Sequence, residues 1–309
     1  MKKILKAAFP ELVESGVMLF EHSMKEHTSF QIGGPAAAFC TPRSIKELAE
    51  VLAFCLRHSI PYFILGKGSN LLVSDKGIRA VVISMQSFTK ITRDEIFVSA
   101  FAGTNLKDLC EFTANEGLAG LEFASGIPGS VGGAVFMNAG AYGGEIRDVL
   151  YCSKCLSPKV EMLQTDYPVL HLKAQEHEFA YRHSALQSMG LILLSSVFKL
   201  HADDPQAIRA RIEDLDAQRN AKQPMDLPSA GSVFKRPEGH FTGKLVDECG
   251  LRGFRIGDAA VSNKHCGFIV NLGEASASDV LRVIEHIKRV VFERFGVALQ
   301  TEIRMVGEM

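Results

Sequence analysis

Apolar residues recur every three or four positions in three stretches of the chain, which is the spacing of a helix with one buried face. The strongest pattern spans residues 276–295 and ends at Gly296. Another follows Thr41-Pro42, where we expect the threonine to cap a helix that reaches about Ser59. A third begins at Asp203-Asp204-Pro205, which offers an acidic cap and a proline at the first helical position.

Alternation of apolar and polar residues predicts strands between these helices. It is cleanest over residues 297–306, where Glu302 falls on the polar side. The segment 218–229 is polar and contains two prolines, so we expect it to connect two cores. Intermixed helices and strands of this kind predict an α+β protein, and we place a domain boundary near residue 200.

The composition limits the class of protein. The chain has 309 residues, 47% of them apolar and 22% charged, which suits about two domains with buried cores. The formal net charge is -1, so we expect no nucleic-acid partner. No stretch approaches the ~20 apolar residues that cross a bilayer, so we expect no membrane partner. The absence of a long heptad repeat argues only against a coiled coil. We expect a monomer.

The cysteines indicate a compartment rather than a metal site. They are seven in number and scattered, which is typical of free thiols in the reducing cytoplasm, where we expect the protein to act. Cys152-Ser153-Lys154-Cys155 has the spacing of half a zinc site, but no second pair or matching histidines follow closely. We interpret it as a chance pair and predict no metal.

Two glycine-rich segments are candidates for ligand binding. Gly66-Lys67-Gly68-Ser69-Asn70 follows a predicted strand, and its backbone N–H groups are suited to an anion such as a diphosphate. It is not a Walker loop, because the required lysine spacing is absent. The tract 126–134 holds four glycines in its first eight residues, and 138–144 follows with three more. The spacing does not match a Rossmann fingerprint, so we expect a different nucleotide-binding fold.

Ordered motifs along nearly the whole chain resemble the UDP-N-acetylenolpyruvoylglucosamine reductase family. They comprise Thr28 to Gly34, Gly66 to Asn70, Gly126 to Ala134, Asn138 to Ala141, Phe179 to Arg182, Gly231 to Lys235, Gly267 to Asn271, and Glu302. The resemblance implies an FAD-binding domain of the vanillyl-alcohol-oxidase type over residues 1–200, with subdomains of about 1–85 and 86–200, and a C-terminal α+β substrate-binding domain over 201–309. The short interval between Arg182 and Ser232 resembles the second, shorter class of the family, which lacks a tyrosine-bearing loop.

The resemblance implies NADPH-dependent reduction, through FAD, of a UDP-linked enolpyruvyl sugar in peptidoglycan biosynthesis. Its cofactor contacts would be Gly66, Lys67, Gly68, Ser69, Asn70, Gly126, Ile127, Pro128, Gly129, Ser130, Gly132, Gly133, Asn138, Ala139 and Gly140. Three residues match the family's catalytic set. Arg182 would hold the substrate carboxylate, Ser232 would donate a proton, and Glu302 would act with Arg182 on the developing enolate.

The same resemblance assigns substrate contacts near the catalytic motifs. They are Tyr181, Lys235, Arg236, Lys244, Arg252 and His265. Many relatives carry asparagine where this chain has Arg236, so the diphosphate contact at that position is a departure from the family pattern.

Two other functions fit part of the pattern. Another FAD-dependent oxidoreductase on the same fold would explain the glycine tracts but not the ordered Arg182, Ser232 and Glu302 motifs. A non-catalytic protein that binds a flavin or a nucleotide sugar would be expected to lack one of those three residues.

Overall fold

The computed structural model describes residues 1–158 and 168–309. Its helices are α1 (Lys2–Ala8), α2 (Pro10–Glu14), α3 (Ile45–Arg57), α4 (Leu106–Asn115), α5 (Val131–Met137), α6 (Ala185–Met189), α7 (Pro205–Lys222), α8 (Thr242–Glu248) and α9 (Ala277–Phe295). None of the helices in the described ranges is long and apolar enough to cross a membrane.

The strands are short and spread along the described chain. They are β1 (Met18–Ser23), β2 (Pro35–Cys40), β3 (Tyr62–Leu65), β4 (Leu71–Val73), β5 (Ile78–Ser84), β6 (Ile91–Asp94), β7 (Phe97–Phe101), β8 (Leu118–Ala119), β9 (Gly140–Ala141), β10 (Gly144–Glu145), β11 (Leu150–Leu156), β12 (Val169–Lys173), β13 (Ile192–Lys199), β14 (His201–Ala202), β15 (Ser229–Ser232), β16 (Arg255–Ile256), β17 (Ala259–Val261), β18 (Phe268–Asn271) and β19 (Arg304–Val306).

The chain divides into two compact units, each built from separated segments. Unit 1 comprises Met1–Leu19, Ala38–Lys67 and Ala80–Arg219, and unit 2 comprises Phe20–Ala37, Gly68–Arg79 and Asn220–Met309. This division differs from the single boundary that we placed near residue 200. Most of α7 belongs to unit 1, because Ile208 packs with Ala114 and Ala119. Two early segments belong to unit 2, because Phe30, Ile32 and Leu72 lie in its core.

Unit 1 contains an antiparallel sheet in the order β12-β11-β13-β7-β6. Buried Ser153 and Ser196 face each other across β11 and β13, with their hydroxyl oxygens 3.0 Å apart. Helix α5 packs on β13 and β7. In the same unit, β3 pairs in parallel with β5, with Tyr62 opposite Val81. Gly66 follows directly after the end of β3.

Unit 2 contains an antiparallel sheet in the order β15-β18-β17-β16, which packs against α9. The helix predicted over residues 276–295 is confirmed. Ser276 and Asp279 form a reciprocal capping box at its start, and Gly296 ends it with a left-handed φ of 67°. Its buried positions follow the helical period and are Val280, Val283, Ile284, Ile287 and Val291.

Three local predictions were wrong in their bounds. Ser44, rather than Thr41, caps α3, because its hydroxyl accepts a hydrogen bond from the Glu47 N–H at 3.1 Å. The segment predicted as a connector from residue 218 begins as the last turn of α7, which ends at Lys222. The last strand spans only Arg304–Val306 and pairs in parallel with β4. Leu299 and Ile303 are buried as the alternation predicted, but a single bridge from Thr301 to Phe234 replaces a continuous ladder.

Candidate functional site

The first half of one predicted cofactor loop meets the second glycine tract inside unit 1. A Cβ atom added to Gly66 would lie 2.6 Å from the Ser130 hydroxyl oxygen, so no other residue fits there without displacing that serine. Ser130 caps α5, because its hydroxyl accepts a hydrogen bond from the Gly133 N–H at 3.3 Å. Two segments that sequence reasoning assigned to one cofactor are therefore neighbours.

The second tract runs into a helix, because α5 begins at Val131. The N–H groups of Val131 and Gly132 donate to the carbonyls of Thr104 and Ala102, each at 2.8 Å. A Cβ atom on Gly132 would lie 3.0 Å from the Ala102 oxygen, so this glycine permits the start of α5 to approach the end of β7. Gly132 therefore serves packing, and Gly133 is exposed beside it.

The second half of the first loop, from Gly68 to Asn70, belongs to unit 2. Gly68 has a φ of 66°, and a Cβ atom there would overlap the His27 carbonyl oxygen. The Asn70 side-chain amide donates to the Glu302 carbonyl at 3.2 Å, and the Asn70 carbonyl accepts from the Arg304 N–H at 2.9 Å. Asn70 thus holds the backbone of the segment that carries the predicted catalytic carboxylate.

Ser232 and Glu302 come together in unit 2 through one backbone carbonyl. Ser232 is the last residue of β15, opposite Phe268 of β18. The next residue, Val233, donates its N–H to the Gly267 carbonyl at 2.9 Å and accepts the Glu302 N–H at 2.7 Å. The Ser232 side chain is exposed and Glu302 is half-buried. A predicted proton donor and a predicted carboxylate therefore lie on neighbouring backbone segments, and neither residue is buried.

Arg182 lies in a strained tight turn of unit 1. Ala180 and His183 exchange backbone hydrogen bonds of 3.2 and 3.1 Å across the turn. Arg182 has a φ of 55°, a left-handed conformation that costs a non-glycine residue about 1–2 kcal/mol. Its guanidinium carbon lies 5.0 Å from the centre of the exposed Tyr181 ring. Backbone strain at an arginine that we predict to bind the substrate carboxylate favours a functional role for the turn.

Asn138 supports this turn through hydrogen bonds of its side chain. It is fully buried with a φ of 43°, and its amide nitrogen donates to the Glu145 carboxylate at 2.6 Å and to the Ala180 carbonyl at 3.1 Å. Its amide oxygen accepts from the Arg147 N–H at 3.0 Å. Because both ends of the side chain are engaged within the protein, Asn138 positions the Arg182 turn. The predicted part of Asn138 in binding the cofactor stays a prediction.

The basic residues predicted to bind the substrate differ in how strongly they already pair with acidic groups of the protein. Arg252 forms a bidentate ion pair with Asp247, at 2.9 and 2.7 Å, and also donates to the Asn263 carbonyl. Hydrogen bonding to Arg252 lowers the pKa of the Asp247 carboxyl, so the pair stays ionised. Lys244 lies 3.7 Å from Glu248, and both side chains are exposed. Arg252 is therefore committed to a structural pair, whereas Lys244 remains accessible.

Arg236 is exposed beside an aromatic ring, whereas Lys235 and His265 are half-buried. The Arg236 guanidinium carbon is 3.9 Å from the centre of the Phe241 ring, which is 60% exposed. Lys235 donates its backbone N–H to the Gln300 carbonyl at 2.8 Å. The His265 Nδ1 accepts the Gly267 N–H at 3.0 Å, and burial lowers the pKa of this ring, so it is held neutral.

Sequence reasoning missed one buried charge beside the glycine tract. Arg219 on α7 is 6% exposed and donates to the Gly126 carbonyl at 2.6 Å. One helical turn earlier, Asp216 accepts the Ser125 hydroxyl at 2.9 Å. A Cβ atom on Gly126 would lie 2.6 Å from the Arg219 Nε. The absence of a side chain at residue 126 therefore leaves room for the guanidinium. No pattern in the sequence distinguishes Arg219 from a solvated arginine, because α7 is polar on most of its surface.

Two family models match separate parts of the chain. Residues 36–165 match an FAD binding domain, and residues 223–306 match the C-terminal domain of UDP-N-acetylenolpyruvoylglucosamine reductase. These matches confirm the predicted α+β class with a flavin domain followed by a substrate domain. They also confirm the predicted FAD cofactor.

Relatives of known name cover the whole chain. The UDP-N-acetylenolpyruvoylglucosamine reductase of Lachnoclostridium phytofermentans is 44% identical over 100% of this chain and 99% of its own. That of Caldanaerobacter subterraneus subsp. tengcongensis is 45% identical over 100% of both. The crystal structure of the Thermus caldophilus reductase superposes with a TM-score of 0.78 at 35% identity, covering 94% of this chain and 98% of that one.

Proposed function

Because the chain belongs to the UDP-N-acetylenolpyruvoylglucosamine reductase family, we propose that it reduces UDP-N-acetylglucosamine enolpyruvate to UDP-N-acetylmuramate in peptidoglycan biosynthesis. NADPH is the reductant and FAD the cofactor. The observation that carries the proposal is the hydrogen bond from the Glu302 N–H to the Val233 carbonyl, which brings the backbone of Glu302 next to that of Ser232. A protein that only bound a flavin or a nucleotide sugar would not need an exposed hydroxyl and a carboxylate on neighbouring backbone segments.

The glycine tracts fit a flavin nucleotide. Gly66 and Ser130 approach so closely that a side chain at residue 66 would displace the serine, and Gly133 is exposed beside it. Backbone without side chains permits the close approach of a flat or anionic group such as a flavin nucleotide. In this role Gly66, Ser130 and Gly133 would hold the cofactor, which when bound supplies the hydride.

The substrate chemistry assigns a task to each catalytic residue. Addition of hydride to the β-carbon of an enolpyruvyl ether builds negative charge on the conjugated carboxylate, and the α-carbon must then take a proton. Arg182 is suited to the carboxylate, because its planar guanidinium binds both oxygens and remains charged. Ser232 is the proton donor at the α-carbon. Glu302 would act with Arg182 on the developing enolate by donating a hydrogen bond, which requires its carboxylic acid form.

Separate measurement of the two half-reactions tests this proposal. The protein with bound FAD is reduced anaerobically with NADPH and then mixed with the enolpyruvyl substrate, while flavin absorbance is recorded. We expect NADPH to bleach the flavin and the sugar to restore its colour. Ser232→Ala should retain the first step at the normal rate and slow the second by about 10²-fold or more, the scale of general acid catalysis.

A matched serine substitution serves as the control. Ser278→Ala alters an exposed hydroxyl at the start of α9 and should leave both steps unchanged. Flavin that bleaches but does not respond to the sugar would indicate a different oxidoreductase. An unimpaired second step in Ser232→Ala would remove Ser232 from the mechanism while leaving the family reaction in place.

The protein is proposed to act on these small molecules as a cytoplasmic monomer. All seven cysteines are free thiols, which suits a reducing compartment. Light scattering during size-exclusion chromatography gives the mass in solution, and a mass of twice 33.8 kDa would contradict the monomer.

A further inference from the structure

Two histidines and a glutamate converge in unit 2 at a place that the proposed reaction does not use. His22 lies in β1, and Glu26 and His27 lie in the short 3₁₀ turn Lys25–His27. The Nε2 atoms of the two rings are 2.8 Å apart. A ligand atom from each of the three residues lies within 4.8 Å of the other two. Both rings are half-buried and Glu26 is exposed, so the cluster opens to solvent.

The backbone that presents His22 is strained. Glu21, within β1, has a φ of 51°, and a non-glycine residue in this region costs about 1–2 kcal/mol. Left-handed residues of this kind persist where the surroundings require them, and they concentrate at ligand sites. Here the irregularity immediately precedes the ring that faces His27, so it affects how the strand presents that ring.

We propose that His22, Glu26 and His27 bind one divalent transition-metal ion of the zinc or nickel type. Imidazole nitrogen is the donor that these ions prefer, and a carboxylate completes a common three-residue set that leaves a position for water. Two nitrogens bound tetrahedrally at about 2.0–2.1 Å lie about 3.3 Å apart. Separating the rings from 2.8 Å to that distance requires a shift of about half an ångström, which side-chain torsions supply.

The site adjoins the loop assigned to the cofactor. Gly68 packs against the His27 carbonyl oxygen, and the Ser29 N–H donates to the Gly68 carbonyl at 3.3 Å. An ion that fixes His27 to His22 therefore restrains the turn on which Gly68 rests. Metal binding should slow hydrogen exchange of backbone amides over residues 22–29 and extend that protection to Gly68.

Calorimetric titration of the flavin-loaded protein tests the proposal, after chelator treatment, with zinc chloride and separately with nickel chloride. We expect one ion per chain with a dissociation constant in the micromolar range. His22→Ala and His27→Ala should each weaken binding at least tenfold, and Glu26→Gln about threefold. The exposed His171→Ala, outside the cluster, should bind as the unaltered protein does.

Hydrogen exchange provides a second readout that does not depend on enzymatic activity. Zinc should protect the 22–29 peptide in the unaltered protein and in His171→Ala, but not in His22→Ala. If His27→Ala does not fold, His22→Ala and Glu26→Gln decide the question. Binding weaker than millimolar, or binding that survives His22→Ala, would overturn the site and leave the two rings as a hydrogen-bonded pair only.

Discussion

His177 is fully buried at the end of the short helical turn Ala174–His177, and neither of its ring nitrogens has a hydrogen-bond partner among the described residues. Its ring stacks on Phe179, with centroids 5.0 Å apart and planes at 7°. Burial without a partner disfavours the protonated ring and lowers the pKa of His177 from 6.5 to about 4. The substitution His177→Phe removes the titration and keeps an aromatic ring on the stack.

The sign and size of the pH effect follow from linkage. Between pH 6.5 and pH 4 the unfolded chain binds a proton at this ring while the folded chain does not, so acid favours unfolding. A pKa difference of one pH unit is worth about 1.4 kcal/mol, so the interval is worth about 3 kcal/mol. Stability that is fully present above pH 6.5 is therefore lost as the pH falls towards 4, and the loss ends there.

Urea denaturation followed by circular dichroism at pH 7.5, 6 and 5 measures this difference. We expect His177→Phe to match or exceed the unaltered protein by about 1 kcal/mol at pH 7.5, because a buried polar ring without partners is replaced by an apolar one. Its advantage should grow by about 2 kcal/mol at pH 5. The control is His201→Phe, which alters an exposed ring in the same unit.

Two results would refute the reasoning. A loss of more than about 1 kcal/mol in His177→Phe at pH 7.5 would mean that the ring nitrogens have partners whose removal is costly. If the free energy of unfolding fell equally with pH in His177→Phe and in the unaltered protein, His177 would take up no proton on unfolding in this range.

Three further substitutions test other contacts. Asp75→Ala removes the carboxylate that accepts the Ala277 and Ser278 N–H groups at 2.7 and 3.0 Å, and should lower the free energy of unfolding by about 1–2 kcal/mol in thermal denaturation, whereas Asp75→Asn should recover part of it. Arg219→Met leaves the Gly126 carbonyl without its buried donor and should raise the FAD dissociation constant about tenfold by fluorescence titration. Gly66→Ala places a methyl group against Ser130 and should also weaken FAD binding, and unchanged affinity would contradict the assigned loop.

Local sequence predicted the elements whose stability is mainly local. Helix α9 carries its own capping box and its own apolar stripe, so its bounds and buried face follow from a short window. The prediction of the last strand was wrong in its bounds for the opposite reason. Residues 297–303 alternate as a strand does, but a strand also needs a partner along its length. Among the described residues, this segment pairs only through the Thr301 bridge, whereas Arg304–Val306 pair with β4.

The sequence by itself determined the residue types of the candidate chemistry and their order along the chain, and family resemblance assigned them roles. Only the tertiary structure decided which of them are neighbours, because contacts such as those of Val233 with Glu302 and Arg219 with Gly126 join positions far apart in the chain. The order of residues along the chain carries no information about such contacts, which depend on how the core within each unit packs. For the same reason the structure, and not the pattern of glycines, identified Asn138 as a support of the Arg182 turn.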